Sequence, residues 1–132
     1  MNRHIGSGII RYDPIRQGMR RRVDWWSIVH VDRELTRYYR WWVKKEKFID
    51  LYEPSWDAHI SIIRGEKPLP EYMHLWKKYN GIRISFEYEH DVFNEGFFWI
   101  IKVYSEELMN IRKEMNLPCN WPLHLTIGRT YY

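Results

Sequence analysis

Asp57-Ala58-His59-Ile60-Ser61-Ile62-Ile63 and Pro122-Leu123-His124-Leu125-Thr126-Ile127-Gly128 are two copies of one pattern. Each is an apolar run broken by a histidine and, two residues later, by a small hydroxyl residue. Alternate side chains of a β-strand share a face. His59 and Ser61 therefore point one way while Ile60 and Ile62 point the other. His124 and Thr126 do the same against Leu123, Leu125 and Ile127. A single His-x-Thr on a strand is ordinary; two, about half the chain apart, point to a common site. Two imidazoles can divide the work of proton acceptor and proton donor. The hydroxyls can hydrogen-bond phosphate oxygens. The other four histidines lack this setting. His4 lies near the N-terminal end, His30 closes an apolar run, His74 falls in a short helix and His90 in a turn, and all four read as structural.

Working outward, Ile9-Ile10-Arg11-Tyr12-Asp13-Pro14 reads as a short strand entering a turn, followed by the basic cluster Arg20-Arg21-Arg22. The cluster is either a solvated face or a phosphate contact. Trp25 to Val31 reads as a strand. Asp32 is a good N-cap for a helix from Arg33 to about Lys47, with an apolar stripe at Leu35, Tyr38, Tyr39 and Trp42. Pro54-Ser55-Trp56 leads into the first His strand, 57–64. A loop with Gly65, Pro68 and Pro70 and a short helix from Glu71 to Lys78 follow. Ile82 to Glu89 and Phe97 to Tyr104 read as a strand pair joined by a loop from His90 to Gly96. Ser105 caps a second helix, with Leu108, Ile111 and Met115 as its apolar stripe. Pro118 and Pro122 bound the approach to the second His strand, 123–129.

Strand–helix–strand thus occurs twice, each time ending in a His strand. The expectation is an α+β fold, one domain over 1–132 with two lobes related by a pseudo-two-fold. In it, antiparallel sheets face a central cleft and helices lie outside.

The 132 residues suit one domain. Aromatic residues make up 17% of the chain, with eight Trp and ten Tyr, more rings than so small a core can hold, so some should line a cleft. The net charge of +4 favours an anionic partner without naming one. A lone cysteine, Cys119, excludes an internal disulfide and suits a reducing compartment. Its place five residues before His124 makes a Cys/His pair conceivable, but a small residue in a turn is the simpler reading. No CxxC or HExxH is present, so no metal site and no cofactor are expected. No apolar run reaches membrane-spanning length, and Met1-Asn2-Arg3-His4 carries no signal-peptide run, which predicts a soluble cytoplasmic protein with no membrane partner.

The pair His59-Ile60-Ser61-Ile62 and His124-Leu125-Thr126-Ile127 resembles the two H-x-[ST]-x motifs of the 2H phosphoesterase superfamily. Ile10-Arg11-Tyr12-Asp13-Pro14, the Tyr38-Tyr39-Arg40-Trp41-Trp42 helix and Trp56-Asp57-Ala58-His59-Ile60-Ser61 running into Arg64-Gly65-Glu66-Lys67-Pro68 are similar to the phage anti-CBASS nucleases within it. Ser61 stands where that subgroup usually carries threonine, and it keeps the hydroxyl. The resemblance implies a metal-independent phosphodiesterase acting on cyclic di- or trinucleotide signals, in the service of a phage evading host immunity. Its setting would be the host cytoplasm, with no stable nucleic-acid duplex as partner. His59, Ser61, His124 and Thr126 would be catalytic. The resemblance also implies aromatic rings that sandwich nucleobases, and Tyr12 and Trp76 are the candidates; for both the alternative is a packed core aromatic.

The chemistry of such a site would use the ribose 2′-OH as nucleophile, one histidine taking its proton and the other protonating the leaving 5′-oxygen. Which histidine plays which part does not follow from the residues. Two other readings fit the composition. One is a 2H enzyme acting on RNA ends, as a 2′,3′-cyclic phosphodiesterase or in tRNA repair. The other is a non-catalytic sponge that holds nucleotides by stacking and charge.

Overall fold

In the computed structural model the described residues are 3–14, 23–54 and 57–130. The Arg20–Arg22 cluster and Trp56 lie outside them. The elements in chain order are β1 (Arg3–Tyr12), β2 (Trp26–Val31), α1 (Arg33–Lys47), β3 (His59–Arg64), a 3-10 turn at Pro70–Leu75, β4 (Arg83–Glu95), β5 (Phe98–Tyr104), α2 (Glu106–Glu114) and β6 (His124–Arg129).

The helices form where their caps sit. Asp32 accepts the Glu34 N–H at 2.9 Å to open α1, and Lys44, Lys45 and Lys47 complement its last turn. Ser105 accepts the Leu108 N–H at 3.2 Å to open α2, with Glu106 and Glu107 in the first turn. The buried positions of α1 are Thr36, Tyr39 and Val43, while Tyr38 is exposed. α2 buries Leu108 and Ile111, and Met115 just beyond it is buried as well.

The strands do not form two sheets facing across a cleft. They close into one mostly β, six-stranded antiparallel barrel in the order β1-β2-β3-β6-β5-β4. The expected two-lobed α+β arrangement with outer helices is therefore wrong. The physical reason lies in the edges. Two open sheets would leave β3, β6, β1 and β4 with rows of unpaired N–H and C=O groups. Here β3 meets β6 at Ile60 opposite Leu125. At the other end β1 meets β4 along seven pairs, from Arg3 opposite Glu89 to Ile9 opposite Arg83. That second closure was hidden because both strands are longer than their sequence suggests. His4 is in β1, not in a loose end, and His90 is in β4, not in a turn. A register shift between Tyr88 and Val92 accommodates Glu89, His90 and Asp91, and it breaks the alternation that marks a strand.

The two His strands share a further detail. Opposite β2, Ser27 and Ile28 pair with Ile63 and Ser61, so Ile62 is an extra residue in β3. Opposite β5, Trp99 and Ile100 pair with Gly128 and Thr126, so Ile127 is an extra residue in β6. Each bulge sits three residues after its histidine. Each leaves a carbonyl that the ladder does not take up, and an arginine takes it instead. Arg112 of α2 donates to Ile62 O at 2.9 Å, and Arg40 of α1 donates to Ile127 O at 2.9 Å. Thus α2 packs on β3 and α1 on β6. Arg112 is 1% exposed and also forms a two-pronged pair with Glu66, both contacts at 2.8 Å. Ile60, Ile62, Ile63, Leu125 and Ile127 are fully buried in one apolar cluster with Tyr39, Val43, Leu108 and Ile111.

Candidate active site on the β3–β6 seam

Because Ile60 stands opposite Leu125 in antiparallel strands, continuing that register sets His59 across from Thr126 and Ser61 across from His124. The four polar side chains emerge on the face away from the core. All four line one cavity of about 520 Å3, together with Pro54, Arg64, Glu95, Phe98, Ile100 and Trp121. The duplicated motif therefore meets side by side on neighbouring strands, each histidine facing the hydroxyl of the other strand.

The imidazoles are held alike. His59 Nδ1 lies 2.6 Å from Asp57 O, and His124 Nδ1 lies 3.1 Å from Pro122 O. In both the acceptor is the carbonyl two residues earlier. A carbonyl can only accept, so Nδ1 carries the proton and Nε2 is left as the working nitrogen of the neutral ring. The Trp26 indole meets the His59 ring edge-on, with centroids 5.3 Å apart. Its Nε1–H donates to Ser61 Oγ at 3.0 Å. That bond occupies a lone pair of Ser61 and leaves the hydroxyl proton to be donated elsewhere. Burial pushes the His59 imidazole below the usual histidine value, and the charges of Arg64, His124 and His30 push the same way; the Asp57 carbonyl opposes them. His59 is thus held neutral and ready to accept a proton.

Arg64 supplies positive charge to the cavity, its guanidinium 5.2 Å from the centroid of the Trp26 ring. Strict alternation from Ser61 would have placed residue 63 there. The bulge at Ile62 buries both Ile62 and Ile63 and turns Arg64 to the open side. Glu95 and Phe98 arrive from the tip of the β4–β5 hairpin, where they pair across Gly96-Phe97, with Gly96 at φ +62°. No motif marks Trp26, Glu95, Phe98 or Trp121 as site residues; only the aromatic excess hinted that such rings line a site.

Tyr12 and Trp76 are elsewhere. They pack edge-to-face, centroids 5.0 Å apart, and neither lines the histidine cavity. Tyr12 is 7% exposed and burial raises its phenol to about 12. Trp76 donates to Asp13 at 3.0 Å and meets Trp25 edge-on. Cys119 is exposed and does not line the cavity, and its thiol lies 3.8 Å from Leu117 O. Among the described residues no three His, Cys, Asp or Glu side chains gather as a metal-binding group, and no helix is long and apolar enough to cross a membrane.

No family model, curated protein or solved structure matches the chain.

Proposed function

We propose that this chain is a phosphodiesterase that cleaves 3′–5′ phosphodiester bonds of cyclic di- or trinucleotides without a metal, using the ribose 2′-OH as nucleophile. The observation that carries the reading is the quartet His59, Ser61, His124 and Thr126 in one cavity, with both Nδ1 atoms tied to backbone carbonyls and both Nε2 atoms left to work. The likeness to 2H phosphoesterases rests on this motif pair and not on the barrel. A service to phage against host immunity belongs to the same reading and rests on that likeness alone.

His59 Nε2 takes the 2′-OH proton, the 2′-oxygen forms a bond to phosphorus, and the P–O5′ bond breaks. His124, in its protonated form, gives its proton to O5′. The products are a 2′,3′-cyclic phosphate and a 5′-OH, and the ring opens to a linear chain. Water can then open the cyclic phosphate with the two histidines in exchanged roles. Ser61, Thr126 and Arg64 face the non-bridging oxygens, where charge grows in the transition state. The nucleophile is tethered beside its phosphate, so orientation and proton transfer are what the protein needs to supply. A cavity of about 520 Å3 suits a phosphodiester with its nucleoside. The test is incubation of a 3′,3′-linked cyclic dinucleotide with the protein in EDTA, products read by mass spectrometry. A linear species of unchanged mass is expected first, then one heavier by a water. An intact ring beside an opened 2′,3′-cyclic phosphate on RNA would favour the RNA-end reading. Binding without turnover would favour the sponge.

A further inference from the structure

The histidine cavity continues past His124 into a second one of about 630 Å3. The two share Glu95, Ile100, Trp121 and His124, and the second is walled further on by Met109 and Tyr104. Trp121 is the fixed part of this junction. Its Nε1–H donates to Ser61 O at 3.1 Å, and the Arg112 guanidinium lies 4.6 Å from its ring centroid. Arg112 is buried and backs the ring, and Trp121 lines both cavities. An indole tethered at its nitrogen and backed on one side is a ready platform for a flat, π-rich group. Lys102 stands directly opposite His124 across β5–β6 and lines the same chamber. Its ammonium lies 4.5 Å from the centroid of the Phe93 ring.

We propose that this chamber binds the nucleobase of the leaving-side nucleoside, stacked on Trp121. The proposal rests on the phosphodiesterase reading. If His124 protonates O5′, the nucleoside carrying that oxygen lies beyond His124, and that is where the chamber opens. The walls are mostly apolar, as a base-binding site needs, with Glu95, which lines both cavities, as an acceptor for base N–H groups.

Two ligands separate the parts of this claim. A 2′-deoxy cyclic dinucleotide carries both bases but no nucleophile, so calorimetry reads its binding without turnover. Adenosine 3′-methyl phosphate carries the nucleophile and a phosphodiester but no leaving-side base. Trp121→Ala removes the platform. Met109→Trp narrows the chamber while keeping Trp121 and its hydrogen bond, and so serves if Trp121→Ala fails to fold. Each variant is expected to weaken binding of the deoxy ring by about tenfold or more. Each should lose at least about tenfold more kcat/KM on a ribo cyclic dinucleotide than on the methyl ester. Equal losses on both substrates, or unchanged affinity for the deoxy ring, would overturn the chamber. A wild-type protein that binds the deoxy ring through Trp121 and Met109 yet cuts neither substrate would keep the chamber and overturn the phosphodiesterase reading. A wild type that does not bind the ring would overturn the chamber outright.

Discussion

His59 and His124 differ in surroundings more than in geometry. Both are clamped at Nδ1 by a carbonyl two residues back, and His59 in addition sits against Trp26 and feels the Arg64 charge. Truncating either to Ala is expected to lower kcat by about 10²–10⁴-fold, the usual share of a general acid or base. The melting temperature should fall only modestly, since both side chains line the cavity and lie outside the apolar cluster. A folded double variant with wild-type turnover would remove the two-histidine mechanism. The pH profile carries the asymmetry. The base must be neutral to accept a proton, and His59 is held below the ordinary value of 6.5, first by burial. The rate should therefore rise with pH through a limb whose midpoint in kcat/KM lies below 6.5. A rising limb centred above 6.5 would show that another group is the base. Arg112 and Glu66 give a second residue-scale expectation. The hydrogen bonds from Arg112 hold the Glu66 carboxyl below its ordinary value of 4.5. A carboxyl with a lowered folded value adds stability above the unfolded value, and this fades as pH falls through the folded one. Glu66→Gln should therefore cost stability in urea unfolding near neutral pH and cost progressively less below 4.5. Arg112→Ala removes a buried partner and should cost about 3 kcal/mol at neutral pH. An equal Glu66→Gln penalty at both pH values would mean that the pair contributes nothing ionic.

At the scale of elements, the bulges at Ile62 and Ile127 set which side chains face the cavity. Gly128, just after the second bulge, lets residues 51 and 52 pass close to β6. A Cβ there would lie 2.8 Å from Leu51 Cβ and 3.1 Å from Tyr52 O. Those residues carry the backbone pair between Tyr52 and Arg129. Gly128→Val is expected to destabilise by about 1–3 kcal/mol, as overpacking does. Calorimetric unfolding that shows no loss would contradict the close approach. What was legible in the chain follows from how local each signal is. α1 was readable to its ends because Asp32 and the terminal lysines act within a turn. The two His strands were readable because their alternation is unbroken over His59–Ile62 and His124–Ile127. β4 was readable only as far as Glu89, because its bulge at Glu89–Asp91 mimics a turn. The cavity's outer wall was not readable, because the Glu95–Phe98 pair reaches it from a separate hairpin and Trp121 lies in the irregular approach to β6, where no strand alternation marks it. Tyr12 and Trp76, the two rings singled out from the aromatic excess, pack edge-to-face on each other away from the histidine cavity, a tertiary placement that no local pattern marks.

For the whole molecule, the decisive event is closure. Strand pairing at Ile60–Leu125 turns two separated motifs into one quartet, and pairing of β1 with β4 seals the far side. Neither contact is local, so neither leaves a mark in the pattern of a single strand. The net charge of +4 favours an anionic partner, and the proposed reaction requires one phosphodiester in the cavity at a time. The central claim is that a ribose 2′-OH, moved by two histidines, does the chemistry. The most direct measurement is the mass of products over time from a 3′,3′-linked cyclic dinucleotide and its 2′-deoxy counterpart, run in parallel in excess EDTA. The ribo ring should open in EDTA through a 2′,3′-cyclic phosphate, and the deoxy ring should stay intact. Comparable cleavage of the deoxy ring, or activity lost in EDTA and restored by a divalent metal, would contradict the account.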